Sequence, residues 1–296
     1  MQRIPLEPAR KTVTLMSYKP VPEPHGAIGR GTKTMAVAQL GGQRLYYEDT
    51  GGPGPVLVFS HGLLMDHEMF APQIAALRGQ YRCIAWDERG HGGTGQVPAL
   101  SPFNYWDAAD DLAALLGHLG VGRATLVGMA QGGYHSLRCA LKYPGLVGAL
   151  VLIDSQAAPE DGAQRVGSRA LADFWLQHGP SEMLLDNAER VLLGEKWDGA
   201  AAWREKWWRC QPRHFLECLT TLGEREDLTD YLGEIRIPSM VIHGSADLAV
   251  PVSRARGLAC GLGGEMVLVD GGGHAANLTH AATVNDAMAG FLSRLN

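Results

Sequence analysis

The segment Gly128-Met129-Ala130-Gln131-Gly132 constrains this chain more than any other. It has the G-x-S-x-G frame of a sharp strand-to-helix turn, with alanine where a serine would stand. Ala124-Thr125-Leu126-Val127 before it reads as a buried strand, and the residues from Gly132 to Leu141 read as a helix. Such a turn is strained, and its glycines let the helix approach the strand closely. It serves to hold a hydroxyl at the top of a sheet, and alanine has none. The chain reads as a site built for covalent catalysis without its nucleophile.

The 296 residues suffice for one large α/β domain or two small ones. Net charge is −5, with both signs scattered along the chain. No basic block argues for nucleic acid and no cationic amphipathic helix for a membrane surface. No apolar run reaches the roughly 18 residues of a spanning helix. Met1 to about Thr34 is rich in proline and basic residues and lacks the apolar core of a secretory signal. It is expected to form an extended arm over residues 1–34. The five cysteines (Cys83, Cys139, Cys210, Cys218 and Cys260) have no metal-ligand spacing. Cys83 and Cys139 read as small buried hydrophobes, and an odd, scattered count fits a reducing cytoplasm.

Two strands, Met35–Leu40 and Arg44–Tyr47, are joined by Gly41-Gly42, a hairpin signal. Pro55–Ser60 is a continuous apolar run, as a buried parallel strand should be. A helix near Phe70–Leu77, a strand Arg82–Trp86 and a helix over about Tyr105–Leu119 follow. Leu146–Ile153 is the strand after the elbow helix. From Ser155 to about Gly233 there is no long β-branched run, and helical stretches carry five of the seven tryptophans. Strand–helix alternation resumes at Ile237–His243 and continues through Met266–Val269 to a last helix near Asn277–Leu292. This pattern predicts a mostly parallel sheet flanked by helices, with a helical insertion. The core is expected over 35–154 and 234–296, with the insertion over 155–233.

Four further pieces each follow a predicted strand, where ligands bind in open α/β sheets. His61-Gly62-Leu63-Leu64 suits an oxyanion loop, in which the backbone N–H groups of Leu63 and Gln131 would bind developing negative charge. Asp87-Glu88-Arg89-Gly90-His91-Gly92 is read as structural, with Arg89 expected to hydrogen-bond loop carbonyls near the elbow. Asp247, before Pro251, is either a helix cap or the carboxylate that orients a histidine. His274, on the Gly271-Gly272-Gly273 loop, suits a general base toward position 130. Asp154 is the rival for the orienting acid; the turn and proline beside Asp247 favour Asp247.

With these five motifs in this order, the chain resembles the α/β-hydrolase superfamily from about Met35 to Asn296, and its oxyanion loop, His61 to Asp66, is similar to that of bacterial esterases, lactonases and perhydrolases. The resemblance implies that the insertion caps an apolar acyl or alcohol pocket. Met65, Met129 and Leu63 are expected to line its floor. Trp175, Trp207 and Trp208 are the tryptophans that could face it, with Trp175 taken as a contact. His178 and His214 are expected at the surface. No metal or organic cofactor is implied.

The expected reaction is hydrolysis of an apolar carboxylic ester or lactone by a Ser-His-Asp mechanism, with serine at 130, His274 as base and Asp247 orienting it. Because the rest of the machinery is intact, Ala130 reads as a deliberate serine-to-alanine change, which would leave this chain nearly inactive. A natural pseudo-hydrolase that binds a small apolar ligand, a C–C hydrolase and a perhydrolase share the same motifs. The oligomeric state is left open.

Overall fold

The computed structural model describes residues 34–194 and 197–295, so most of the expected arm lies outside the described residues; Thr34 already belongs to the first strand. Eight strands form one sheet: β1 (Thr34–Leu40), β2 (Gln43–Asp49), β3 (Val56–Ser60), β4 (Arg82–Trp86), β5 (Ala124–Met129), β6 (Val147–Ile153), β7 (Ser239–Gly244) and β8 (Glu265–Val269). Their order is β1-β2-β4-β3-β5-β6-β7-β8. The first two pair antiparallel, β2 meets β4 antiparallel, and every other pairing is parallel. β5 lies in the middle, between β3 and β6, which is why its residues are almost all buried. Side chains alternate between the faces of a strand, so each face builds its own apolar layer. Leu57, Phe59, Val127 and Ile153 pack on one layer, and Val58, Ile84, Leu126 and Leu152 on the other.

The core helices are α1 (Ala71–Leu77), α2 (Tyr105–His118) and α3 (Gln131–Lys142); α4 (Gly162–His178), α5 (Glu182–Leu192), α6 (Ala200–Trp208) and α7 (Pro212–Gly223) all lie between β6 and β7; α8 (Val252–Leu262), α9 (Ala276–Thr279) and α10 (Ala281–Leu292) complete the chain. Local chemistry fixes several starts. Asn104 accepts from the Trp106 and Asp107 N–H groups at 2.8 and 3.1 Å, and Asp107 returns a bond to Asn104 N–H, a reciprocal cap for α2. Asp161 and Gln164 do the same for α4. Pro72 stands in the first turn of α1, where its missing N–H costs nothing.

Two local expectations are corrected. The last helix is broken at His280, whose φ of −126° separates α9 from α10. The cause is tertiary: the Asn277 carbonyl accepts from Gln73 Nε2 at 2.9 Å, and Asn277 Nδ2 donates to the Met69 carbonyl at 3.0 Å. These bonds tie the first turn to the segment around α1. Arg89 does not bind loop carbonyls. It makes a two-pronged pair with Asp111 of α2, at 2.6 and 2.9 Å, because a carboxylate is a stronger partner than a neutral carbonyl.

Candidate active site

The turn after β5 carries the strain that the sequence implies. Ala130 has φ 47° and ψ −112°, a conformation that costs a non-glycine residue on the order of 1–3 kcal/mol. Three bonds hold it there. Ala130 N–H donates to the Ile153 carbonyl at 2.9 Å, and its own carbonyl accepts from Gly133 N–H and Ser155 Oγ, both at 2.9 Å. The flanking glycines are steric necessities. A Cβ on Gly132 would collide with the Ser60 carbonyl, and one on Gly128 with the Gly132 carbonyl.

Asp247 and His274 meet beside the elbow. His274 Nδ1 lies 2.9 Å from Asp247 Oδ2, and both side chains are buried. Asp247 Oδ1 accepts from the N–H groups of Ala249 and Val250 at 2.7 and 3.0 Å, which locks the carboxylate. Burial pushes the Asp247 carboxyl up, but His274 and these N–H donors outweigh it, and it ends below the usual range. Burial pushes His274 down, and the Asp247 charge and hydrogen bond more than reverse that, leaving it above the ordinary histidine value. Both shifts favour a carboxylate that stabilises an imidazolium.

Asp154, the rival acid, sits elsewhere in the same construction. Its Oδ1 accepts from Gly244 N–H at 2.7 Å and its Oδ2 from Ala276 N–H at 3.1 Å. It therefore staples the end of β7, which leads to Asp247, to the residues after His274. Complete burial raises it to about 8. His243 Nδ1 lies 3.5 Å from Asp154 Oδ1, and burial lowers that imidazole. Asp154, His243 and Asp247 are the described side chains close enough to share a metal ion. His243 Nε2 is engaged with the Val250 carbonyl at 2.9 Å and both carboxylates with backbone N–H groups, while His243 Nδ1 is buried without a hydrogen-bond partner.

Leu63 and Gln131 both line the cavity above Ala130. Gln131 is the first residue of α3, so its N–H is among the unpaired donors of that helix end. Its side chain donates to Glu88 Oε2 at 3.1 Å, and buried His135 stands 3.5 Å from the same oxygen. Sequence reasoning missed this anchor, since nothing in the spacing links residue 88 to residue 131. The Leu63 loop is shaped by His61. Its Nδ1 bonds the Gly62 carbonyl at 2.8 Å, and its Nε2 accepts from Glu88 N–H at 2.9 Å. Leu64 follows with φ 62°. The Asp87 loop is structural: Asp87 accepts from the His67 and Gly93 N–H groups, both at 2.7 Å. Burial and His61 push His91 down to about 4.

The cavity has a volume of about 210 Å³, and Ala130, Gln131 and His274 line it together. Trp175 also lines it. Met65 and Met129 do not: Met129 is fully buried in the core beneath the elbow, and Met65 borders a second cavity at the seam between α6 and the core. Trp207 donates from Nε1 to the Leu64 carbonyl at 2.8 Å, and Trp208 is exposed. His178 is exposed, but His214 is buried, because it shares the inward face of α7 with Phe215 and Cys218. The cavity is not uniformly apolar either. Leu219, Phe215 and Trp175 supply apolar wall, while Gln156, Glu160 and Arg225 face the same space.

Family models match the chain twice, as the alpha/beta hydrolase fold over residues 55–179 and as a TAP-like protein over residues 209–296. A protein of Rhizobium rhizogenes named "Putative carbamate hydrolase RutD" is 33% identical over 250 residues, 80% of this chain and 92% of that protein. The chain belongs to the alpha/beta-hydrolase family. A thermophilic esterase from Thermogutta terrifontis superposes with a TM-score of 0.78 at 26% identity, over 90% of this chain and 99% of its own. The enol-lactonase from Burkholderia xenovorans LB400 superposes with a TM-score of 0.79 over 87% of this chain and 100% of its own; at 24% identity it speaks for the fold alone. No helix among the described residues is long and apolar enough to cross a membrane.

Proposed function

We propose that this site binds a small carboxylic ester, lactone or carbamate and is arranged for acyl transfer to a hydroxyl at position 130. The observation that carries the reading is Ala130 itself, held at φ 47° beside a buried histidine–carboxylate pair. A methyl group gains nothing from that strain, whereas a serine there would direct its Oγ toward His274. In the serine form, His274 would take the hydroxyl proton as the oxygen attacks the carbonyl. Asp247 would stabilise the imidazolium, and the Leu63 and Gln131 N–H groups would bind the oxyanion. His274 would return the proton to the leaving alcohol or amine, and water would release the acyl group. The relatives named as carbamate hydrolases support extending the substrate class beyond esters and lactones. No cofactor, nucleic acid or membrane enters this scheme.

Without the hydroxyl, binding should persist while turnover falls by about 10⁶, the scale of removing a serine nucleophile. Hydrolysis of an ester, lactone and carbamate panel by this protein and by its Ala130→Ser variant tests the reading. Hydrolysis in the serine form alone is expected. Equal rates in both forms would refute it. Silence in both, with ligand binding retained, would favour the second reading: a binding protein on the same fold, for which the missing hydroxyl at 130 is the specific argument.

A further inference from the structure

The polar end of the cavity is chemically unusual. Arg225 follows α7 and is 6% exposed, yet it lines the cavity. Its guanidinium lies 4.5 Å from the centre of the Tyr134 ring, one helical turn beyond the elbow. Nη1 donates to the Leu222 carbonyl at 2.6 Å and Nη2 to the Ala158 carbonyl at 3.3 Å. Its Nε is buried without a hydrogen-bond partner, and no carboxylate among the described residues pairs with the side chain. Glu160 lines the same cavity. Its Oε1 accepts from Ser168 Oγ at 3.2 Å, but Oε2 is buried and unpartnered. The two groups are close neighbours in the fold. Arg225 binds the carbonyls of residues 158 and 222, and Glu160 Oε2 stands 4.0 Å from where a Cβ on Gly223 would project. They do not pair with each other, so a donor and an acceptor are left for a third group. Burying both unmatched is costly, so a ligand group that satisfies both is selected over one that does not.

Resting on the acyl-binding reading above, we propose that Arg225 and Glu160 form a subsite for a neutral group that both donates and accepts, of the carboxamide or urea type, at the far end of the acyl chain. The carbonyl of such a group accepts from Arg225 while its N–H donates to Glu160. A carboxylate would satisfy Arg225 but meet Glu160 with like charge. An ammonium would do the reverse, and an alkyl end would satisfy neither. A cavity of about 210 Å³ holds a compact chain only, so the subsite sets length as well as polarity.

Calorimetry on the protein with Ala130, which leaves the esters uncleaved, tests the proposal without relying on catalysis. Methyl esters of four-, five- and six-carbon acyl chains are titrated, each ending in a carboxamide, its isopropyl isostere, a carboxylate or an ammonium. The carboxamide is expected to bind at least about tenfold tighter than the isostere at one chain length. Arg225→Met and Glu160→Met should each bring the ratio of carboxamide to isostere affinity, measured within the same variant, down toward one; melting curves check that each variant is folded. A carboxylate that binds tightest, a preference that survives in both variants, or no binding by any ester would overturn the subsite. Hydrolysis of the same esters by Ala130→Ser separates the two claims. Cleavage without end-group preference leaves the acyl-transfer reading and removes the subsite. Preference without cleavage does the opposite.

Discussion

At position 130 a single methyl group occupies a backbone conformation that favours glycine. Ala130→Gly should stabilise the fold by about 1 kcal/mol, the relieved strain less the extra entropy glycine gives the unfolded chain. Urea denaturation would read this, and a destabilised glycine variant would show that the turn is relaxed. The neighbouring histidine makes a second prediction. Only neutral His274 can accept a proton, and Asp247 holds its protonated form favoured above the ordinary range, against the opposing effect of burial. In the Ala130→Ser protein, kcat/KM should therefore rise with pH through a midpoint above 6.5, and Asp247→Asn should move that midpoint down. The sign for stability is the reverse: the His274 contribution is complete below 6.5 and is lost as pH rises through its raised folded-state value, while that of Asp247 is lost as pH falls through its lowered one. A pH profile that is flat across this range would remove His274 as the base. The elbow, Asp247 and His274 could be found in the sequence because each has a local signature. Arg225 and Glu160 had none, since their meaning comes from what fails to pair with them.

The elements that carry these residues are tied to one another by bonds between distant parts of the chain. The loop after β3 is held from above by α6: Trp207 Nε1 bonds the Leu64 carbonyl, and Lys206 Nζ reaches Asp66 Oδ2 at 2.6 Å and Glu68 Oε2 at 2.8 Å. The His274 loop is held by α5, whose Leu192 carbonyl accepts from Ala275 N–H at 2.8 Å, and by the Asp154 staple. The helices between β6 and β7 thus position the site as well as cover it. Trp207→Phe keeps an aromatic side chain but leaves a gap beside it and the Leu64 carbonyl without its donor, which should cost at least about 1–3 kcal/mol in stability. In the serine form it should also lower kcat more than it raises KM, because the displaced Leu63 N–H acts on the transition state. Unchanged kcat would mean that the loop holds its shape without α6. None of these ties is visible to periodicity, which explains why the strands were legible in sequence while the Arg89–Asp111 pair, the burial of His214 and the break at His280 were not.

For the molecule as a whole, a central sheet with β5 near its middle brings five loops to one edge, and the order of those loops in the chain was enough to anticipate the fold. What the order left unspecified was chemistry in the space above the elbow. The expected apolar pocket has a polar end because two segments flanking the four inserted helices, at residues 160 and 225, turn charged side chains toward it. The central claim is that the site lacks one oxygen atom and is otherwise assembled. A fluorophosphonate, which is attacked by an activated serine, tests this most directly when protein mass is measured before and after exposure. The account predicts one adduct on residue 130 of the Ala130→Ser protein, none on the protein with Ala130, and strongly slowed labelling when His274→Ala is added. An Ala130→Ser protein that is folded, binds ligand and stays unlabelled would contradict it.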